Sequence, residues 1–521
     1  MAHITKIKLH NFKRFQKFEV EFHETINLLI GDNEAGKSSV LTAIDLVVSG
    51  STHKVQTLGL ESLFNIEAIS EFFTGEKTID RLPKLFIEIY LNDSGNPDLN
   101  GKNNSSGIPS DGLRLVCEPR EDLSKEIKDV LEQGRDNFPF EFYSIKFSTF
   151  ADLSYTGYRK FLRHLLLDST QINNEYANKE YIKAVYHSHA NDTLISKQQN
   201  EYRRHKGDFR DKVLNELNDK MDDYQFSIRT GSKANLETDL TITEDSIPLE
   251  DRGKGRQCFI KTEFALQKKQ DGGKEIDVML LEEPENHLSH SNMQRLIHSI
   301  SSSDNKQLFI STHNNMICSR LNLRNAIFLN SNGVEPAKLS QLNTSTAKFF
   351  MKAPDNNVLE LILSRKVLLV EGDAEYILMD EFFKKTTAVE LKDSDVHIIA
   401  VGGTSFKRYI ELAALLGIKV ASITDNDGST KDCAERYKDH ISDIAAMFCD
   451  PDDGRSTFEI ALYQDNKYSC DDLFGERLQK NSVQEYMLKN KTDVAFKLLD
   501  KKADDLIVPK YIQEAIEWIN G

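Results

Sequence analysis

Ile26-Asn27-Leu28-Leu29-Ile30-Gly31-Asp32-Asn33-Glu34-Ala35-Gly36-Lys37-Ser38-Ser39 is the stretch on which the fold turns. A short apolar run, read as a buried strand, enters a loop that meets every fixed position of G-x-x-x-x-G-K-[ST]. Val40-Leu41-Thr42-Ala43-Ile44 can then carry a helix, the context that turns this pattern into a phosphate site. Glycines let backbone N–H groups curl around phosphates, and the helix N-terminus adds a favourable dipole. Lys37 is expected on the β- and γ-phosphates and Ser38 on Mg²⁺, with Gly31, Asn33, Glu34, Gly36 and Ser39 completing the nucleotide loop.

Working outward, 521 residues are too many for one core and suggest about three to four domains. With 39% hydrophobic and 28% charged residues, large cores can form and wholesale disorder is excluded. No apolar run approaches the ~20 residues of a membrane span. Met1 to Phe12 lacks the apolar block of a secretion signal. The six cysteines show no zinc spacing, which fits a reducing cytoplasm. Net charge is 66 − 82 = −16, so a DNA partner requires local basic patches or metals that offset clustered carboxylates.

Lys6 to Leu9 and Phe18 to Phe22 alternate as hairpin strands, and Leu85 to Leu91 reads as another strand. Asn92 to Gly112, rich in Asn, Gly, Ser and Pro, reads as a surface loop. From Tyr155 to Tyr224 the chain is polar and nearly free of Gly and Pro. Its apolar residues Phe161, Leu165 and Leu166, and later Val213, Leu214 and Leu217, suggest inserted helices. Ile276 to Leu281 and Gln307 to Ser311 return to strands. A linker near Ala353-Pro354-Asp355 precedes a fresh β/α pattern: Val367 to Val370, Val396 to Val401, Val420 to Thr424.

Two further pieces complete a nucleotide site. Val278-Met279-Leu280-Leu281 delivers Glu282 and Glu283 to a strand exit, Glu282 near Mg²⁺ and Glu283 polarising the attacking water. Phe309-Ile310-Ser311-Thr312 ends in His313, positioned to sense the γ-phosphate. Together these resemble the ATPase heads of the ABC superfamily, in the branch of recombination and chromosome-maintenance ATPases. That resemblance implies a signature loop, for which Arg252-Gly253-Lys254-Gly255-Arg256-Gln257 is the candidate without the usual Ser-Gly-Gly core. It also implies that two heads share each nucleotide, hence a homodimer or higher homo-oligomer.

After residue 364 a second set of acids appears. Val367 to Val370 ends in Glu371-Gly372-Asp373-Ala374-Glu375, where Glu371 and Glu375 can face one point if a helix begins near Asp373. Val420 to Thr424 ends in Asp425-Asn426-Asp427. Adjacent parallel strands would bring all four acids to one sheet edge. So many carboxylates need counter-charge, and hard oxygen ligands suit Mg²⁺ or Mn²⁺. A calcium loop fails on register, since it places Ile423 and Ala434 at ligand positions.

Strand-Glu-Gly followed by strand-Asp-x-Asp resembles the Toprim fold. An ABC-type head followed by Toprim is similar to the OLD (overcoming lysogenisation defect) family of ATPase-coupled nucleases, several of them in anti-phage defence. The resemblance implies an α/β chain with an ATPase head, an inserted helical dimerisation segment and a C-terminal Toprim domain. The boundaries are 1–154 and 241–352 for the ATPase, 155–240 for the insertion and 353–521 for Toprim. It implies ATP and a metal pair held by Glu371, Glu375, Asp425 and Asp427, with Glu459 of Ser456-Thr457-Phe458-Glu459 as a further ligand. Lys491 of Lys491-Thr492-Asp493-Val494-Ala495 corresponds to the transition-state lysine, although Thr492 stands where the family shows glycine. Gly402-Gly403-Thr404-Ser405 is a candidate phosphate-facing turn. Tyr202-Arg203-Arg204-His205-Lys206 fits a solvated helix face better than a DNA contact.

The expected function is therefore an ATP-regulated, divalent-metal-dependent DNA endonuclease or nickase of anti-phage defence, cytoplasmic and without a membrane partner. A companion defence protein, such as a retron reverse transcriptase with its nucleic acid, is an expected partner. Topoisomerase and primase readings lack a DNA-gate domain and a zinc module. A non-nucleolytic DNA clamp or repair factor would need sustained heptads that ~70 polar residues do not provide.

Overall fold

Alternation in the opening residues is realised as a hairpin, Ile4–Phe12 paired antiparallel with Phe15–Glu21 so that Leu9 lies opposite Phe18. On its other edge Ile4–Phe12 pairs with Leu85–Leu91, which pairs with Ser110–Pro119, which pairs with Tyr143–Thr149, all antiparallel. These contacts belong to a computed structural model that describes residues 2–132, 137–157, 161–169, 175–220, 225–229, 235–266, 276–302, 306–329, 336–353, 357–403, 405–475 and 482–521. The stretch expected as one loop, Asn92 to Gly112, instead contributes Asn100–Gly101 and the start of Ser110–Pro119 to the sheet. Asp111 organises the loop by accepting from the Ser94 amide at 2.9 Å and Asn100 Nδ2 at 2.8 Å.

The chain divides into two compact units, Met1–Thr312 with Leu329–Pro336, and His313–Phe328 with Ala337–Gly521. The first unit also holds a parallel sheet in the order Ile26–Gly31, Gln307–Ser311, Val278–Glu282, His164–Asp168. Its strands are apolar on both faces, and Leu28, Leu280 and Phe309 are fully buried, as parallel strands covered on both sides require. Register places Glu282 opposite both Ser311 and Asp168, so the strands discharge polar residues at one edge.

His164–Asp168 corrects the sequence reading. Leu165 and Leu166 were expected on a helix, yet they form a strand beside Met279 and Leu280. A short unbroken apolar run has no period of its own, and the neighbouring strand decides its state. The helices of the expected insertion follow later, at Glu175–His189 and Asp192–Val213. Tyr224, Pro354 and Asp355 lie outside the described residues.

The second unit is built on four parallel strands in the order Val396–Ala400, Lys366–Val370, Lys419–Ile423, Ala445–Phe448. Helices Asp373–Thr387, Lys491–Lys502 and Lys510–Asn520 contribute Phe382, Phe383, Leu498, Ile512 and Ile516 to a continuous apolar core with Leu368 and Ala421. Among the described residues no helix is long and apolar enough to cross a membrane.

Candidate nucleotide site and carboxylate cluster

The helix Lys37–Ser49 starts directly from Gly36, whose φ of 97° is left-handed and which offers no side-chain cap, so the helix N-terminus opens onto the loop. A Cβ at Gly36 would stand 2.4 Å from Phe15 Cζ, so glycine is required by space as well as by φ. Lys37 is buried and its Nζ donates to the carbonyls of Gly31 at 2.7 Å and Asp32 at 2.8 Å. The ammonium is thereby folded over the loop, and an arriving phosphate would exchange with carbonyl oxygens. Asn33, Glu34 and Ser38 are exposed, and Ser39 is half-buried.

Burial pushes the Glu282 carboxyl up, a hydrogen bond from Ser38 opposes this, and the charges of Asp168 and Glu283 reinforce it. Ser38 and Glu282 are thus in contact, the pairing a Mg²⁺-bound nucleotide needs. Lys13, at the turn between the first two strands, lowers the Glu282 carboxyl again. Its own ammonium is disfavoured by burial and partly restored by Glu282. Asp45, fully buried on the Lys37–Ser49 helix, accepts from His164 Nε2 at 2.8 Å and pairs with Lys54 at 2.5 Å. Burial raises its carboxyl, but those two partners prevail and hold it low. The pairing fastens the loop's helix to the strand that ends in Asp168.

Glu283 adopts a left-handed φ of 45°. Its N–H donates to Ser311 O at 3.0 Å, and its Oε2 accepts from Asn286 Nδ2 at 2.7 Å. Thr312 Oγ1 donates to Glu285 Oε1. His313 follows Thr312 where the chain passes from the first compact unit to the second. Arg252 and Arg256 of the signature candidate turn to Glu244, and a Cβ on Gly255 would stand 2.0 Å from His287 O. Lys13, Asp168 and Asn286 escaped the sequence reading. The signal for Asp168 was present, because His164-Leu165-Leu166-Leu167-Asp168 repeats the apolar-run-then-acid form of Val278–Glu282.

In the second unit Glu371 leaves its strand, and Glu375 sits on the first turn of Asp373–Thr387. Glu375 is pushed up to about 8, by burial first and then by the charges of Asp425, Glu459 and Glu371. Asp425 is pushed up to about 7 by burial and by Glu371 and Glu459, while the Phe458 N–H and Lys491 pull it down. The Phe458 N–H donates to Asp425 Oδ1 at 2.8 Å and so ties the acid to the helix that bears Glu459. Lys491 Nζ stands 3.0 Å from Glu459 Oε1. Burial disfavours the Lys491 ammonium, but Glu459, Asp425 and Glu375 outweigh it and hold its proton more tightly.

Asp427 does not join this group. Two residues apart on an extended chain, Asp425 and Asp427 would share a face, but Asp427 has a left-handed φ of 51°. Its carboxylate is 60% exposed and lies 3.3 Å from Arg436 NH1. Asn426, buried between them, fastens the loop by donating to the Asp450 and Asp452 carbonyls at 2.8 and 2.9 Å. The Gly403 N–H donates to Glu371 O at 3.0 Å, whereas Thr404 lies outside the described residues.

The donor set of Glu371, Glu375, Asp425 and Glu459 fits a hard divalent cation. Glu459 Oε2 is buried without a hydrogen-bond partner among the described residues, and the neighbouring acidic charges add to the upward push of burial on Glu375 and Asp425. Among the described residues, no three His, Cys, Asp or Glu side chains close tightly enough to form a ready coordination shell. Carboxylates with one ammonium among them repel, and a divalent cation would draw them inward.

A glycine loop and an acid pair on one parallel sheet, followed in sequence by a second parallel sheet with clustered acids, define an ATPase head joined to a Toprim domain. Residues 3–208 and 124–318 match the AAA ATPase domain family, and residues 362–427 match the overcoming lysogenization defect protein-like TOPRIM domain. The chain belongs to the AAA ATPase domain family and carries an OLD-like Toprim domain, a pairing that implies use of ATP and of a divalent metal.

Among curated proteins it is similar to the DNA replication and repair protein RecF of Xanthomonas euvesicatoria, 40% identical over 52 residues, 10% of this chain and 14% of that one. RecF of Limosilactobacillus reuteri is 31% identical over 94 residues, 18% and 24% of the two chains. The matched segments thus span under a quarter of those relatives. Among solved structures, the C-terminal region of the Burkholderia pseudomallei OLD protein is 21% identical, with 30% of this chain and 97% of that chain covered and a TM-score of 0.26. The SMC head domain from Thermotoga maritima is 13% identical, with 64% and 98% covered and a TM-score of 0.28.

Proposed function

We propose that the chain is an ATP-regulated, divalent-metal-dependent DNA endonuclease or nickase of bacterial anti-phage defence. The observation that carries this reading is the convergence of Glu375, Asp425, Glu371 and Glu459, with Lys491 beside them, in a chain that also holds the Gly31–Ser38 loop.

In this reading Lys37 and the loop amides grip the phosphates of ATP. Ser38 and Glu282 hold its Mg²⁺, Glu283 orients the attacking water and His313 senses the γ-phosphate. In the second unit Glu371, Glu375, Asp425 and Glu459 hold Mg²⁺ or Mn²⁺, and Asp427 is recruited only on leaving Arg436. Bound by these residues, a metal pair would supply an activated water and offset charge on the phosphodiester. Lys491, already attracted to the cluster, neutralises charge that develops on the scissile phosphate. The helical insertion, expected over 155–240, serves dimerisation between the ATPase parts, the first of which runs through the strand His164–Asp168 rather than ending at 154 and the second of which is 241–352, and 353–521 is the nuclease. A homodimer, DNA and a companion such as a retron reverse transcriptase complete the assembly.

The test is incubation of the purified chain with supercoiled plasmid, with and without Mg²⁺ and ATP. Metal-dependent nicking that disappears in Asp425→Ala, with ATP turnover intact, supports the reading. Cleavage by Asp425→Ala at the wild-type rate refutes the metal assignment.

A further inference from the structure

We infer that Asn286, backed by Ser169, is the positioning residue that aims the Glu283 carboxylate at the attacking water. The inference rests on the proposed ATPase role of Glu283. Asn286 Nδ2 donates to Glu283 Oε2 at 2.7 Å, a charge-assisted bond that fixes the orientation of the carboxylate through one of its oxygens. The same amide nitrogen donates to Ser169 Oγ at 3.1 Å. Ser169 Oγ in turn donates to the Glu283 carbonyl at 2.6 Å. One asparagine and one serine therefore grip both the side chain and the backbone of a single acid.

The backbone at that point explains the need. Glu283 is held at φ 45°, a left-handed conformation that is unfavourable for a non-glycine residue and persists only where surroundings impose it. Its N–H is taken by Ser311 O at 3.0 Å, and its carbonyl accepts from the Asn286 N–H at 3.0 Å as well as from Ser169. The turn swings the acid off the line of the Val278–Glu282 strand, so Glu282 and Glu283 face different tasks despite adjacency. A carboxylate at a strained turn has several rotamers to choose from, and the Asn286 amide selects one. Ser169 immediately follows the strand end at Asp168, so the grip also joins two neighbouring strand exits.

The experiment uses the full chain with Asn286→Ala, the near-isosteric Asn286→Asp, Ser169→Ala and Glu283→Gln, and the double variant Asn286→Ala/Glu283→Gln. ATP hydrolysis is followed by single-turnover kinetics, and affinity by a fluorescent ATP analogue. Both Asn286 variants should lower kcat roughly 10–100-fold, as misplacement of a catalytic group by about an ångström does, with nucleotide affinity within about threefold. Ser169→Ala should fall between them and wild type. In the Glu283→Gln background, Asn286→Ala should have no further effect on the rate, because nothing remains to aim. An undiminished kcat in either Asn286 variant overturns the inference, as does a full additive loss in the double variant, which marks a merely structural part. If Glu283→Gln itself hydrolyses ATP like wild type, the ATPase reading of Glu283 falls instead, and the two failures are told apart.

Discussion

Replacing Glu375 by Gln should make the metal-free second unit more stable while abolishing its response to metal. Glu375 is pushed up to about 8 from an ordinary 4.5. At about 1.4 kcal/mol per pH unit, keeping it ionised in the fold costs on the order of 5 kcal/mol at high pH. The replacing amide must find hydrogen bonds of its own, so the expected net gain at pH 8 is ~1–3 kcal/mol. The sign follows from proton counts. Between pH 4.5 and about 8 the folded state keeps a proton that the unfolded chain has lost, so metal-free wild type weakens as pH rises through that window. Glu375→Gln should show a shallower slope, with the remainder carried by Asp425.

Trp518 makes the measurement specific. It is the one tryptophan of the sequence and packs against the core of the second unit, so its fluorescence during urea unfolding reports that unit. Mn²⁺ or Mg²⁺ should stabilise wild type in proportion to the logarithm of its concentration and leave the variant nearly unmoved. No gain at pH 8 relative to pH 5, or equal metal stabilisation of both proteins, would refute the reasoning.

Metal affinity of the wild type should rise from pH 6 to pH 8.5, since a cation must displace protons from Glu375 and Asp425; calorimetry in buffers of different ionisation heat should show proton release. Lys491→Met should reduce plasmid cleavage at least tenfold and, by removing a cation beside Glu459, make the metal-free unit less stable at pH 8 than at pH 5 relative to wild type. Lys37→Ala should stop ATP turnover, measured as phosphate release, without altering circular dichroism. Asp45→Ala should cost roughly 1–3 kcal/mol in the first unit by leaving the buried His164 Nε2 without its acceptor, while the half-exposed Lys54 turns to solvent. The part of that stability due to the Asp45 charge, whose carboxyl is held low, should already be lost from wild type in strongly acid solution, as hydrogen exchange of the parallel-sheet strands can report.

Strand-loop-helix order around Gly31–Ser38 and the two apolar runs ending in Glu371 and Asp425 were legible because each is local. A run of buried residues followed by glycine or acid needs no partner to be recognised. His164–Asp168 has the same apolar-run-then-acid form but was misread because it was taken together with the helical residues that follow, and its pairing with Val278–Glu282 shows it to be a strand. The strands Ser110–Pro119 and Tyr143–Thr149 also went unread, although Leu113-Arg114-Leu115 and Tyr143-Ser144-Ile145-Lys146-Phe147 carry the period-2 alternation of a strand. Asp427 looked equivalent to Asp425 along the chain, and a single left-handed residue turned it to Arg436.

What this chain settles through its residues alone is the inventory of chemistry: a phosphate loop, an acid pair at a strand exit, and further acids two by two after residue 364. Short-range rules of turn, helix start and strand alternation suffice for that. Which acids meet was decided only in three dimensions, where Glu459 and Lys491, far along the chain from Glu375, join it while nearby Asp427 departs. Electrostatic repulsion and burial act through space, and sequence separation carries no information about either.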